Sequence, residues 1–271
     1  MSILRRFFDR FRFWVALLRC GRGISPRLQV GLVLSAILDT LAYSVFPQLA
    51  LSPRTYVSGV VYFKNCDVYF YVRKFSDDIY NVMPGREGDV NMLILKSLSE
   101  GDVFIDVGAN IGYYSILAAR IVGERGQVIA LDPVPDTVKV LDLNIKLNNL
   151  RNIKTIPKAA WSNSAPLNIY VPGGCYGWAS PVKRLGSKSL TVDAVPLDDV
   201  SEKIPAIKLL KIDVEGSEYR VIMGARETLA KTEHVIMEVS ENSDIIQQIL
   251  KDATFKIQKL KFATYIHAQK G

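Results

Sequence analysis

The chain has 271 residues, 49% of them hydrophobic, enough for one large α/β domain with an appendage and a sizeable core. Its three cysteines, Cys20, Cys66 and Cys175, are odd in number and far apart, which excludes a disulfide framework and a paired-cysteine metal site and points to a reducing, cytoplasmic setting. The net charge of +7 argues against a nucleic-acid groove, because seven arginines against one acid, Asp9, place +6 before residue 28 and leave the rest of the chain at +1.

From Ile3 to Leu18, apolar residues recur at helical spacing with arginines between them, the pattern of a basic amphipathic helix. Such a helix suits the cytoplasmic face of an anionic membrane or a protein surface, and both readings stay open. The arginines interrupt any apolar run long enough for a secretory signal. Gln29 to Leu51 is long enough to cross a bilayer, but Asp39 near its middle costs about 2.5 to 3.5 kcal/mol on insertion scales, and Pro47 breaks it late. A non-spanning helix is expected. Residues 1–52 thus form a basic helical region, peripheral membrane contact through 1–51 being one use for it, and residues 53–271 form the main domain.

Val57 to Phe63 and Asp67 to Val72 are β-branched and aromatic around Lys64, Asn65 and Cys66, which predicts a hairpin over 56–72. Pro84, Gly85 and Gly88 mark a loop in which Glu87 either approaches the site or, the preferred expectation, is a solvated carboxylate. Val90 to Leu98 is expected to be helical, and a core from residue 86 to 271 begins there.

The stretch Gly101 to Ser115 is the most informative. Val103 to Val107 is a short apolar run that predicts a buried parallel strand, and Tyr113 to Ile121 has helical spacing. Between them stand Asp106 at the strand end, then Gly108, Asn110 and Gly112. This is a strand, a glycine loop and a helix, which offers backbone N–H groups and a close approach to a ligand. Two glycines four apart are not the three of a dinucleotide fingerprint. An acid before the loop suits a ligand carrying an amine, and S-adenosylmethionine has an ammonium, a carboxylate and a sulfonium.

Gln127 to Leu131 is a second strand ending in Asp132, positioned to accept hydrogen bonds from ribose hydroxyls. Thr137 to Asn148 is helical and Ile153 to Ile156 a third strand; Ala160 and Trp161 follow, where a residue flanks an adenine ring in this topology. Leu167 to Val171 and Leu190 to Val195 enclose a Gly/Pro-rich loop with Cys175, Tyr176 and Trp178, either a substrate lid or surface decoration. Ile207 to Ile212 is a fourth strand, ending in Asp213, Glu215 and Gly216. One helix is expected from Glu218 to Leu229, a fifth strand from His234 to Val239, a helix from Ile245 to Leu250, and a final strand pair within Phe255 to Ile266. His234 and His267 lie in strand-like runs and are expected to pack, and no metal site is expected from residue spacing.

These residues resemble the FkbM-type methyltransferases. The resemblance rests on DVGANIGYYS (Asp106 to Ser115), ALDPVPDT (Ala130 to Thr137), NIKLNNL (Asn144 to Leu150), AAWS (Ala159 to Ser162), PLDDV (Pro196 to Val200) and KIDVEGSEYRVIMGA (Lys211 to Ala225), in order and spacing over about residues 86 to 240. Asp132 departs from the family's usual glutamate by one methylene. The resemblance implies a class I methyltransferase (Rossmann-like) α/β fold: a mostly parallel seven-stranded sheet, helices on both faces and a reversed last strand. It also implies methyl transfer from S-adenosylmethionine, generally to oxygen, on a sugar, glycan or other small molecule.

Cofactor binding is expected at Asp106, Gly108, Asn110, Gly112, Asp132, Ala160 and Trp161. Asp213 and Glu215 are the expected catalytic residues. Asp213 is a general base or a cation ligand, with Glu238 or Asn242 as a partner, or else it is structural. An NAD(P)-type Rossmann oxidoreductase, a nucleic-acid methyltransferase and a non-catalytic membrane-docked module are the alternatives. The first lacks the third loop glycine and the second an NPPY-type motif after the fourth strand. Neither the acceptor nor the oligomeric state can be read from the sequence.

Overall fold

The computed structural model describes residues 2–47, 52–173, 175–181, 188–261 and 264–271. Helix α1 (Ile3–Cys20) is capped by Ser2, whose Oγ accepts from the Arg5 amide at 3.3 Å, and it turns Arg10, Trp14, Leu17 and Cys20 inward. A three-residue strand, β1 (Gly21–Gly23), leads into α2 (Pro26–Val45), which starts with Ser25 as cap and Pro26 in its first turn. The two helices pack antiparallel around Asp39, which is 1% exposed and accepts from Arg10 Nη1 at 3.1 Å, Trp14 Nε1 at 2.8 Å and the Arg54 amide at 3.3 Å. Burial raises the Asp39 carboxyl above its ordinary range although Arg10 opposes the shift. The acid that opposes a membrane span is therefore the fastening between two helices.

The hairpin forms as β2 (Gly59–Phe63) and β3 (Val68–Val72), and β1 adds a third strand antiparallel to β2. Strand β1 was not expected, since three residues with two glycines show no alternation. On the far side, β3 is closed by side chains. The amides of Tyr69 and Tyr71 donate to Asn148 Oδ1 at 3.0 Å and Asn144 Oδ1 at 2.7 Å. Next come α3 (Asp78–Asn81), a turn of helix that was not expected, and α4 (Gly88–Ser97).

The chain then alternates through β4 (Val103–Val107), α5 (Tyr113–Val122), β5 (Gln127–Leu131), α6 (Pro135–Leu147), β6 (Ile153–Ile156) and the two-residue β7 (Ala159–Ala160). Strands β8 (Pro166–Val171) and β9 (Lys188–Val195) pair antiparallel, and α7 (Leu197–Ser201), β10 (Ile207–Ile212), α8 (Glu218–Met223), α9 (Arg226–Ala230), β11 (Thr232–Glu238), α10 (Ser243–Asp252), β12 (Phe255–Lys259) and β13 (Tyr265–Lys270) complete it. The expected single helix from Glu218 is two short ones. They break at Gly224, where a Cβ would lie 2.2 Å from the Trp161 carbonyl oxygen, so that backbone must come too close for a regular helix surface.

The main sheet has the order β12-β13-β11-β10-β4-β5-β6, with β13 antiparallel to both neighbours and the other contacts parallel. This is the class I methyltransferase sheet with its reversed last strand. Alternation along the strands makes two cores. Phe104, Val128, Leu209 and Ile236 face one apolar cluster, while Ile105, Ile129, Leu210 and Val235 face the other. The first cluster also contains Trp14, Leu17, Leu28 and Leu32 from the N-terminal helices.

Candidate active site

A cavity of about 400 Å³ opens at the carboxyl ends of β4, β5, β10 and β11, where open α/β sheets bind ligands. The strand order reverses between β4 and β10. The loop after β4 is held by β5. The amides of Gly108 and Ala109 donate to the Leu131 carbonyl at 3.0 and 2.9 Å, and the Asn110 amide donates to Asp132 Oδ2 at 3.0 Å. These three N–H groups are thus committed inside the protein rather than offered to a ligand. Gly108 has φ +79°, and a Cβ on it would lie 1.8 Å from the Asp213 carbonyl oxygen, so only glycine lets the loops after β4 and β10 touch.

Asp132 lines the cavity with its other oxygen accepting from the Val134 amide at 2.9 Å. Burial pushes its carboxyl up to about 6, against the pull of those two amides. A carboxylate has about four acceptor sites, so two N–H bonds leave capacity for ligand hydroxyls. Asn110 Oδ1 is a buried acceptor without a hydrogen-bond partner among the described residues. Gly108, Asn110, Ala160 and Trp161 line the same cavity. Gly112 starts α5 with φ +95°, its Cα hydrogens against Leu141.

Asp106 lies elsewhere. It is 1% exposed and sits under the loop on the face covered by α5, where Ser115 Oγ donates to its Oδ2 at 2.6 Å. Register explains this, because Asp106 pairs with Lys211 across β4 and β10 and both point to that face. Lys211 Nζ is 4.0 Å from Asp106 and 3.0 Å from Asp213, and it stands over the Tyr114 ring at 4.9 Å. Burial alone would lower the Lys211 pKa, but Asp213, Asp106 and Glu87 together raise it.

Asp213, at the end of β10, accepts from Lys211 and from the Tyr265 hydroxyl at 2.8 Å. Burial opposes its ionisation, yet Lys211 and hydrogen bonds from Glu238 and Tyr265 hold it below the usual carboxylate range. Glu238, at the end of β11, moves the other way: burial and the Asp213 charge push it up to about 8. At neutral pH the pair therefore carries one proton, on Glu238 and shared toward Asp213. Glu215 completes a trio whose ligating oxygens lie within 4.8 Å of one another, the group of metal-ligating side chains found among the described residues. Asn242 starts α10 in a left-handed conformation.

Glu87 overturns the expectation of a solvated loop carboxylate. It is 3% exposed, pairs with Arg86 Nη2 at 2.5 Å and accepts from the Tyr114 hydroxyl and, at 3.4 Å, from that of Tyr265. Arg86, Tyr114, Lys211 and Tyr265 are cavity residues that sequence reasoning did not single out. Only Lys211 carried a signal: a lysine inside an apolar strand buried on both faces needs carboxylate partners.

The loop between β8 and β9 reaches the cavity through a single turn of 3₁₀ helix, Tyr176–Trp178. It is strapped down from the N-terminal half. Asp77 accepts the Tyr176 and Gly177 amides at 3.1 and 3.2 Å, Arg73 covers the Tyr176 ring at 3.8 Å, and Arg54 Nη2 reaches Cys175 Sγ at 3.0 Å. His234 and His267 stack on adjacent strands away from the cavity.

Residues 106–265 match the model of the methyltransferase FkbM domain. Hexuronic acid methyltransferase AglP of Haloferax volcanii is 28% identical over 207 residues, which covers 74% of this chain and 82% of the relative. Methyltransferase sdnD of Sordaria araneosa is 25% identical over 229 residues, 70% of this chain and 83% of the relative. Among solved structures, the precorrin-6y C5,15-methyltransferase of Geobacter metallireducens covers 68% of this chain and 88% of its own at 14% identity and TM-score 0.43. Fibrillarin of Aeropyrum pernix, with bound S-adenosyl-L-methionine, covers 78% and 93% at 15% identity and TM-score 0.42. Both scores describe a loose likeness. The matches lend no support to an oxidoreductase or a non-catalytic module.

Proposed function

Because this chain belongs to the FkbM methyltransferase family, we propose that it transfers a methyl group from S-adenosylmethionine to a hydroxyl oxygen of a sugar or glycan, in the cytoplasm. Dependence on S-adenosylmethionine comes with the family. The sugar is the acceptor class named for the Haloferax volcanii relative, and a hydroxyl acceptor is what a proton-accepting carboxylate pair serves.

Cofactor binding is assigned to Gly108, Asn110, Asp132, Ala160 and Trp161 on the cavity wall, with Gly112 shaping the loop and Asp106 supporting it from beneath. The fit is chemical: Asp132 has spare acceptor capacity and Asn110 Oδ1 is a buried acceptor without a partner among the described residues, a match for ribose hydroxyls and an ammonium. When bound, the cofactor supplies an electrophilic methyl on a sulfonium, whose thioether leaves without needing a proton.

The work left to the protein is to hold the acceptor in line and take its proton. The observation that carries this reading is geometric: Asp213 and Glu238 line the cavity beside the glycine loop, with Lys211 and Tyr265 bonded to Asp213, and burial with mutual charge drives the two carboxyls apart, Asp213 below and Glu238 above the ordinary range. Asp213, held by Lys211 and Tyr265, stays charged and raises the proton affinity of Glu238 into the range that suits a general base near neutral pH. Loss of the Glu238 proton arms it; the acceptor hydroxyl then gives its proton to Glu238 as its oxygen takes the methyl. Glu215 adds negative potential next to the pair.

The test is mass spectrometry of sugar acceptors incubated with the protein and isotopically labelled S-adenosylmethionine. Label on a sugar oxygen, lost in Asp213→Asn while cofactor affinity remains, is the expected result. Full turnover and full cofactor affinity in Asp213→Asn would refute the role given to that residue.

A further inference from the structure

Helix α2 presents two faces of opposite character. Its inner face is committed to the protein: Leu28 and Leu32 enter the core, Ser35 Oγ accepts the Tyr56 amide at 2.9 Å, and Asp39 binds Arg10, Trp14 and Arg54. Its outer face carries Val30, Val33, Leu34, Ile37, Leu38, Leu41 and Val45, continued by Phe46, each between 41% and 60% exposed. No charge interrupts that stripe, which at 1.5 Å per residue runs for roughly 24 Å. Scattered exposed aliphatics are ordinary on a protein surface, but a continuous helix face of them marks a docking surface.

The neighbouring helix indicates the occupant. On α1, Leu4, Phe8 and Phe11 are 48% to 68% exposed. Beside them Arg5, Arg12 and Arg19 recur every seven residues, so they share one stripe, and all three are exposed, as are Arg22 and Arg27. Five exposed arginines beside an aliphatic face match a surface that is apolar beneath and anionic above. A second copy of the chain would bring the same positive charge to the contact. A membrane-spanning α2 would have to pull Asp39 out of its three hydrogen bonds and into lipid.

We infer that α1 and α2 dock the enzyme in the plane of an anionic lipid bilayer, with the outer face of α2 and the Leu4, Phe8 and Phe11 side chains among the acyl chains and the arginines at the phosphates. The inference is independent of the acceptor proposed above. It also gives the basic N-terminus a use that methyl transfer leaves unexplained.

The experiment is vesicle flotation of the full chain at low and high salt, with phosphatidylcholine alone and with phosphatidylcholine plus phosphatidylglycerol. Wild type is expected to float with the anionic vesicles, less so in high salt. The double variant Leu34→Glu, Ile37→Glu should stay at the bottom. The triple variant Arg5→Gln, Arg12→Gln, Arg19→Gln should lose about a hundredfold in partitioning, at about 1 kcal/mol per basic residue. The substituted side chains are all exposed, so unchanged melting temperature and cofactor binding verify that each variant is folded. Wild type that ignores both vesicles, that binds neutral vesicles as well as anionic ones, or that buries this face in a dimer detected by sedimentation would overturn the inference.

Discussion

Replacing Lys211 with methionine tests whether the buried charge network holds the site together. The side chain is 1% exposed and lies 3.0 Å from Asp213 and 4.0 Å from Asp106. Methionine fills similar space, so the loss is one of charge. It leaves the buried Asp106 and the partly buried Asp213 without their cation, and breaking a buried pair in this way costs about 3 to 5 kcal/mol. At roughly 2 to 4 °C per kcal/mol for a chain of this size, the melting temperature should fall by about 6 to 20 °C near neutral pH.

The pH dependence fixes the cause. Asp213 is held below its ordinary range, so the stability it contributes is complete above that range and is lost as the pH falls through its folded value. Without Lys211 that contribution disappears, and protonation of Asp106 and Asp213 relieves the variant. The gap between wild type and variant should therefore narrow on acidification. Differential scanning calorimetry over a pH series reads it directly. A variant that melts with wild type near neutral pH, or a gap that widens in acid, would refute the reasoning. Adding Asp106→Asn should restore part of the loss, because the two sites are coupled.

Two further outcomes follow from the cavity. Asp132→Ala should weaken S-adenosylmethionine binding by roughly tenfold to a hundredfold, the range for hydrogen bonds to a charged group, with the fold intact; unchanged affinity by calorimetry would remove Asp132 from the binding site. Glu238 is protonated at neutral pH and ionises at about 8, so kcat/KM should climb with pH up to that value and then level. The same raised value means stability falls as the pH rises from the ordinary glutamate range toward about 8. Glu238→Gln should flatten both profiles, and an unchanged pH–rate profile would show that another group is the base.

What could be read from the sequence were the features carried by neighbours in the chain. Val103–Val107, Gln127–Leu131, Ile153–Ile156 and Ile207–Ile212 fall where apolar runs are punctuated by Gly, Asp or Pro. Asp132 and Asp213 were legible because each ends such a run. The charge network was not, since Glu87 meets Tyr114 and Tyr265 across 27 and 178 residues of chain. Glu87 looked like a loop carboxylate because its immediate neighbours, Arg86 and Gly88, are those of a loop; its burial is decided by tyrosines on α5 and β13. Asp106 looked like a ligand contact because it precedes the loop. Strand register instead aims it at Lys211 and Ser115, a fact of pairing that one strand alone does not contain.

The strap over the 3₁₀ turn bears on how this enzyme can be divided. Arg54, Arg73 and Asp77 all precede the first residue of the family match, yet they hold a loop that lies inside it. Trp14, Leu17 and Leu32 likewise belong to the same apolar cluster as Phe104 of β4 and Leu209 of β10. A truncated protein trimmed to its recognisable portion would keep every motif and lose the scaffold beneath them. The halves are not modules to be exchanged between relatives; each inherits its shape from the other.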